Sequence, residues 1–386
     1  MTLLVTGISE LRTQDDATGI LTDAALVIDG ERVAWIGSAS DVPAADQCLD
    51  VGGRAVLPGW VDSHTHLVFA GDRSAEFAAR MAGEAYAAGG IQATVDATRV
   101  VSDAELTAHA EGLRAEAARG GTTTIEAKTG YGLDLASETR LARIGADVAD
   151  VVTFLGAHLI PTGVDRRDYL DLVIGPMLDA VRPYSSFIDV FCESGAFTVD
   201  ESREVLEAGR AAGLGLKIHG NQLGHSGGVA LAVELGATSV DHVNHLTAAD
   251  IDALAASDVV ATVLPGADLS TREWLAPARE LADAGVRLAL ATNTNPGTSF
   301  TTSMPFCVAT AVLQHRLSLD EALAAATTGG AAALGLDGDA DAVGCIAVGG
   351  LASLQLLDAP SAAHIPYRPG VPLTRAVWRR GRRVDV

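Results

Sequence analysis

The sequence predicts an α/β protein built on a (β/α)8 TIM barrel, with a small β-sandwich module formed by both ends of the chain. Three observations carry that expectation. Between Val56 and Leu336 short apolar strands alternate with amphipathic helices, the strand candidates there number eight, and the polar residues of the stretch crowd at strand ends. Eight alternating units close into a barrel more readily than they spread into an open sheet.

Taken in order, the first residues are rich in strand signals. Leu26-Val27-Ile28, then Asp29-Gly30, then Val33-Ala34-Trp35-Ile36 read as a hairpin closed by a tight Asp-Gly turn. Barrel strands are expected at 57–64, Thr122–Lys128, Val151–Ala157, 187–191, 216–219, Ser239–His242, 259–264 and 287–291. Helical stripes run through Leu106, Ala110, Leu113 and Ala117, and through Val205, Leu206, Gly209 and Ala212. At the far end 352–357 and 375–384 read as further strands, so the two termini should pair into one module around a continuous insertion. The expected organisation is module at 1–57, barrel at 58–336 and module again at 337–386, without internal repeats or low-complexity segments.

Composition bounds the function. At 386 residues the chain fits one barrel with an added module, and 48% hydrophobic against 20% charged residues supports a large core. The 49 acidic and 27 basic residues leave a net charge of −22, which repels phosphate backbones and anionic lipid and argues against nucleic-acid or membrane partners. A small anionic substrate would be repelled at long range too, so any carboxylate it carries needs a local cation; Arg73 is the candidate. Residues 1–19 lack a basic start followed by an apolar stretch, and no run approaches a membrane span, so a cytoplasmic location is expected. Cys48, Cys192, Cys307 and Cys345 are widely spaced with no C-x-x-C pair, which points to buried free thiols rather than disulfides or a thiolate zinc site.

In a barrel of this kind the reacting groups sit where strands end, at the carboxyl-terminal rim. Reading those ends in order gives His64 and His66, Lys128 with Tyr131, His158, Glu193, His219 with Gln222, His242, Pro265 and Asn293. Four of the eight ends carry histidine, from ten histidines in the chain, a concentration that random placement would rarely produce. The sharpest local signal is Asp62-Ser63-His64-Thr65-His66. Residues two apart on a strand point to the same side, so both imidazoles can face one ion. Neutral imidazole is the common ligand for zinc or iron, and a third histidine, His219 in Lys217-Ile218-His219-Gly220, leaves an open position for water. An isolated H-x-H reads equally well as two ordinary histidines; its place at the end of a first barrel strand, with His219 available, favours the metal. His242 either orients or deprotonates water, or is a hydrogen-bonded core histidine. A metal held this way acidifies water and polarises a carbonyl, the chemistry of C–N hydrolysis, with an acid or base carrying a proton to the leaving nitrogen.

Longer segments point to one family. Leu57-Pro58-Gly59 through His66, Asp72-Arg73-Ser74-Ala75-Glu76-Phe77, Lys128-Thr129-Gly130-Tyr131-Gly132-Leu133, Phe154-Leu155-Gly156-Ala157-His158, Asp189-Val190-Phe191-Cys192-Glu193, Asn295-Pro296-Gly297-Thr298 and Ala363-His364-Ile365-Pro366-Tyr367-Arg368 span essentially the whole chain. Together they resemble the imidazolonepropionases, amidohydrolases that open the ring of 4-imidazolone-5-propanoate to N-formimidoyl-L-glutamate in histidine degradation. H-x-H marks only the amidohydrolase superfamily; the Gly-Tyr-Gly-Leu, Leu-Gly-Ala-His and Asn-Pro-Gly-Thr segments single out this family. The resemblance implies a metal-dependent amidohydrolase barrel with one zinc or iron ion on His64, His66 and His219, and a fourth ligand at position 293. It implies that Arg73, Tyr131, His158 and Gln222 bind the imidazolone ring or its carboxylate, that Asn295, Gly297 and Thr298 form a loop holding the product, and that the protein is a homodimer. His242, Gln222 and Asn293 are the catalytic candidates. Arg73 meets the need for a cation, since guanidinium binds carboxylate bidentately. Tyr131, flanked by two glycines, reads as a loop residue free to reach a ligand.

One position departs from the family pattern. An aspartate is expected before Asn-Pro-Gly, where this chain reads Ala291-Thr292-Asn293-Thr294-Asn295-Pro296-Gly297. Asparagine offers an amide oxygen to a metal but takes no proton from water. Losing a general base there should cost roughly a hundred- to ten-thousand-fold in rate. Three accounts stay open: a change that traps a substrate complex, proton transfer carried by His242, or a protein with little turnover. Two other classes share the same site chemistry, a deaminase or different cyclic-amide hydrolase and a low-activity binder of the same ligands.

Overall fold

Apolar side chains recur along the first strands where a half-buried sheet needs them. In the structure, a computed structural model describing residues 1–83, 90–338 and 341–384, all of the site residues and strands expected from the sequence fall within the described residues. β1 (Thr2–Arg12), β2 (Ile20–Asp29), β3 (Arg32–Ser38) and β4 (Gln47–Pro58) come first. Val5, Ile8 and Leu11 of β1 share one buried core with Leu26, Ile28 and Val33. The expected hairpin is present, with Asp29 paired to Arg32. Its loop residues are therefore Gly30 and Glu31, one place beyond the expected turn, and Gly30 takes the left-handed conformation (φ +58°) that this position requires.

The barrel strands are β5 (Trp60–Asp62), β6 (Thr122–Lys128), β7 (Val151–Ala157), β8 (Phe187–Cys192), β9 (Gly215–Gly220), β10 (Ser239–His242), β11 (Val260–Val263) and β12 (Leu288–Leu290). They form an eight-stranded sheet in sequence order, with parallel pairing from β6 to β12. This is the (β/α)8 arrangement. Only the first expected strand differs in kind: β4 runs on to Pro58, and Gly59 interrupts before β5. A Cβ on Gly59 would sit 2.2 Å from Thr123 Cγ2, so the close approach needs glycine. β6 and β7 are buried along their whole length, as strands covered on both faces must be. Leu106, Ala110, Leu113 and Ala117 are all buried on the helix Asp103–Arg119. The helix Val199–Ala211 opens with a Thr198–Glu201 capping box and buries Val205, Leu206 and Gly209; Ala212, its C-cap, is half-buried.

The chain ends with β13 (Leu354–Leu357), β14 (Thr374–Arg379) and β15 (Arg382–Val384). The termini pair as expected, in one seven-stranded sheet of order β15-β14-β13-β4-β1-β2-β3. Pairing is antiparallel except between β1 and β4. The stretch 375–384 is a hairpin whose two loop residues, Arg380 and Gly381, both have positive φ, the conformation that joins twisted strands tightly.

By packing, the chain divides into two compact units. One comprises Met1–Ser63, Ala115–Thr124 and Ser303–Val386; the other comprises His64–Arg114 and Ile125–Thr302 and contains every residue expected to do chemistry. None of the four cysteines forms a disulfide. Cys192 and Cys307 are buried, but Cys345 is half-buried and Cys48 exposed, which corrects the expectation of four buried thiols. Cys48 lies in the opening residues of β4, whose side chains face solvent before the strand enters the core. Among the described residues no helix is long and apolar enough to cross a membrane.

Candidate active site

The segment His64-Thr65-His66 follows β5 and is clamped on both flanks. Thr65 O accepts from Lys128 N (2.8 Å) at the end of β6, His64 O accepts from Asn293 N (3.0 Å), and His66 N donates to Thr294 O (2.9 Å). These bonds tie the first strand's end to the segment beyond β12 and fix both histidines on main chain held from two sides. Strain gathers at the same rim. His242, Val243 and Asn293 all have φ between +52° and +83°, a region that non-glycine residues adopt at a cost.

Four imidazoles converge there. The His64 and His219 ring centres are 4.6 Å apart, with His66 at 5.3 Å from His64 and His242 at 5.4 Å from His219. A nitrogen of each of His64, His219 and His242 lies within 4.8 Å of the others. His242 therefore stands closer to the cluster than its expected role beside a water required. Burial, with the charge of Lys128 next in weight, holds the His64 pKa down at about 4, and burial first holds His66 and His242 well below the usual range. Neutral rings are what a metal needs.

Two carboxylates set how the rings are held. His64 Nδ1 is 2.6 Å from Asp241 Oδ2, and His219 Nδ1 is 3.1 Å from Asp189. A carboxylate accepts the Nδ1–H, which leaves each Nε2 as a lone pair. His64 Nε2, His66 Nδ1, His242 Nδ1 and Asn293 Oδ1 are buried with no hydrogen-bond partner. Buried polar atoms are nearly always paired, so four such atoms in one place fit a cation-binding centre. Asn293 Nδ2 donates to Thr298 Oγ1 (3.4 Å), which turns the amide so that Oδ1 is the unpartnered atom. Asp189 lies in one of the segments that carry the family resemblance, but neither it nor Asp241 was expected to have a role at the site.

A pocket above these groups is lined by His66, Arg73, Ile91, Tyr131, His158, Phe191, His219, Gln222, His242, Asn293, Asn295 and Thr298. Ten of these were site candidates from the sequence; Ile91 and Phe191 were not, although Phe191 ends an expected strand and its ring centre lies 6.0 Å from that of His158 and 5.9 Å from that of His219. His64 lies buried beside the pocket without lining it. Arg73 is held through Nε and Nη2 by Glu76, at 2.8 and 2.7 Å. Gly297 leaves room for it, since a Cβ there would lie 2.2 Å from Arg73 Nη1. Asn295 Oδ1 accepts from the main-chain N–H of Gly297 and Thr298, both at 2.8 Å, so this side chain shapes the loop. His158 Nδ1 donates to Gly130 O (2.9 Å), which makes Nε2 an acceptor, and burial holds its pKa down at about 3. Glu193 accepts from Leu223 N at 3.0 Å, beside Gln222, and so acts on the loop's main chain. Pro265 occupies the first turn of the helix Pro265–Thr271. In that helix burial pushes the Asp268 carboxyl up to about 7, while Asn244 and Ala276 N–H oppose the rise.

The Amidohydrolase family matches residues 191–384. An imidazolonepropionase of Arthrobacter sp. (strain FB24) is 62% identical, over 99% of this chain and 99% of the relative. Another, from Saccharopolyspora erythraea, is 61% identical over 99% and 98%. The chain belongs to the imidazolonepropionase family. Among solved structures, an adenosine deaminase of Xanthomonas campestris with bound zinc aligns with TM-score 0.74 at 20% identity, over 99% of this chain and 92% of that one. An atrazine chlorohydrolase of Arthrobacter aurescens TC1 complexed with zinc gives 0.74 at 18%, over 99% and 94%. At such identity the likeness speaks to fold alone, and the fold is the one expected. Six of the segments through which the chain resembles imidazolonepropionases contribute to the pocket, with His66, Arg73, Tyr131, His158, Phe191, and Asn295 with Thr298; the segment 363–368 does not.

The buried imidazoles make stability depend on pH with a definite sign. His64, His66, His158 and His242 are neutral in the fold well below the pH at which an unfolded histidine takes a proton. The unfolded state therefore binds more protons below about pH 6.5, and stability falls as pH falls from there, by up to about 1.4 kcal/mol per pH unit for each ring. The raised carboxyls of Asp268 and Glu138 act in the opposite sense but are fewer. Metal-free protein should melt at lower temperature at about pH 5 than at about pH 7.5. An equal or higher melting temperature at the acidic pH would contradict the burial of these rings as neutral groups.

Proposed function

We propose that this chain hydrolyses the ring C–N bond of 4-imidazolone-5-propanoate to give N-formimidoyl-L-glutamate, at a centre where His64, His66 and His219 hold one zinc or iron ion and Asn293 Oδ1 offers a fourth contact. The observation that carries the reading is the set of buried, unpartnered nitrogen and oxygen atoms beside a pocket that also holds Arg73. Imidazole and amide ligands suit zinc and iron alike. When bound, the ion supplies Lewis acidity for the carbonyl and acidifies water.

The chain's own residues supply the rest. Arg73, preset by Glu76, pairs with the propanoate carboxylate against the repulsion of a protein of net charge −22. His158 Nε2 accepts the ring N–H, while Tyr131 and Gln222 border the ring and fix its position. His242, neutral and unpartnered at Nδ1, takes a proton from the attacking water as oxygen adds to the carbonyl carbon. The ring C–N bond then breaks, and that proton passes to the leaving nitrogen. Asn293 cannot share this work because an amide oxygen is too weak a base to take a proton from water near neutral pH. That residue favours a second reading in which ligands bind normally and turnover is low.

The test is loss of imidazolone absorbance, run beside deamination of cytosine and guanine. Loss of the imidazolone with no deamination is expected, and the reverse would move the chain to another activity. Asn293→Asp should raise kcat by about a hundredfold or more; an unchanged or lower value would show that His242 alone meets the demand for a base. Arg73→Ala should raise KM by at least about tenfold with kcat little changed, and a loss confined to kcat would contradict its role as carboxylate anchor.

A further inference from the structure

Beneath the histidines lie five charged side chains sealed from solvent: Glu126, Lys128, Asp189, Lys217 and Asp241. Two ammonium groups face three carboxylates, leaving one negative charge uncompensated below the proposed cation. The two lysines are not equivalent. Lys128 Nζ lies 2.8 Å from Asp189, 3.2 Å from Glu126 and 3.4 Å from Asp241. Asp189 and Asp241 are the carboxylates that hold Nδ1 of His219 and His64. Lys217 Nζ instead bonds Glu126 at 2.7 Å, and Glu126 turns to Thr153 and the lysines rather than to a histidine.

We propose that Lys128 is a positioning residue for the metal centre, its single ammonium holding two carboxylates in place so that His64 and His219 both present Nε2 to the ion. Acidic oxygens of Asp189 and Asp241 and a nitrogen of His219 lie within 4.8 Å of one another. Two carboxylates that close in a dry interior repel strongly, and without a cation between them they swing apart and release the rings they orient. Lys217 neutralises the same cluster through its 2.7 Å bond to Glu126 and contributes to the fold, not to the aim of the rings. This inference rests on the metal reading proposed above, and the experiment keeps the two apart.

Zinc affinity is measured on metal-stripped, full-length protein by competition with a chromogenic chelator, for the wild type, Lys128→Met and Lys217→Met. Circular dichroism checks folding. Lys128→Met should weaken zinc binding by about ten- to a hundredfold, and Lys217→Met by less than about threefold. Nitrogen NMR of the imidazoles should show Nδ1-protonated His64 and His219 in the wild type and in Lys217→Met, and mixed tautomers in Lys128→Met. Equal weakening by both variants, or wild-type affinity in Lys128→Met, would overturn the role of Lys128. If Lys128→Met does not fold, Lys128→Gln takes its place, and Nε2-protonated rings in the wild type would overturn the proposal by themselves. A wild type that binds no zinc or iron would instead remove the metal reading on which it stands.

Discussion

The bond between the Asp241 carboxylate and His64 Nδ1, 2.6 Å long and out of reach of solvent, sets the terms for the rest of the site. Burial makes an imidazole neutral, and a neutral imidazole has one N–H and one lone pair. Which nitrogen carries which decides whether the ring can hold a cation. Asp241 settles the matter for His64, and Asp189 does the same for His219. Keeping two carboxylates ionised in a dry interior is costly, and Lys128 offsets that cost. Burial opposes the charge of Lys128, but Asp189, Glu126 and Asp241 outweigh it and hold its pKa above the ordinary range. The chemistry at the top of the barrel thus depends on charges placed one layer down.

The second requirement is rigidity at the rim. His242, Val243 and Asn293 are held in left-handed conformations that cost free energy, and the main-chain bonds from His64 and His66 to Asn293 and Thr294 oppose their relaxation. Groups meant for the metal therefore sit on strand ends, where position is well defined. Groups meant for the substrate sit on loops that are shaped by side chains: Asn295 folds its own loop, Glu76 steers Arg73, and Glu193 holds the main chain next to Gln222. In this arrangement the departure at position 293 is specific. The Asn293 amide is oriented by Thr298 and retains a lone pair, so the capacity to hold a cation survives where the capacity to accept a proton does not.

Much of this was legible in the sequence because it follows from period and place. His64 and His66 share a face by the two-residue repeat of a strand, and alternating strands and helices gave the barrel and hence the rim. Segment likeness then drew Arg73, Tyr131, His158 and Gln222 to one pocket. What stayed hidden needed the register between strands. Asp189, Lys217 and Asp241 each sit inside an apolar strand, where a lone charge reads as an outward-facing residue; only the pairing of β8, β9 and β10 stacks them under the histidines. The nearness of His242 to His64 and His219 depends on a positive φ that no local pattern announces. The hairpin loop at Arg380-Gly381 was missed for a similar reason, because arginine rarely adopts that conformation.

His64, His66 and His219, from distant parts of the chain, converge where one cation would sit. X-ray absorption at the zinc and iron edges, on protein purified without added metal, tests this most directly. It should find one ion per chain with a shell of about three imidazole nitrogens at roughly 2.0–2.1 Å and the remainder oxygen. A shell of sulfur, a shell of oxygen alone, or no stoichiometric metal would contradict it.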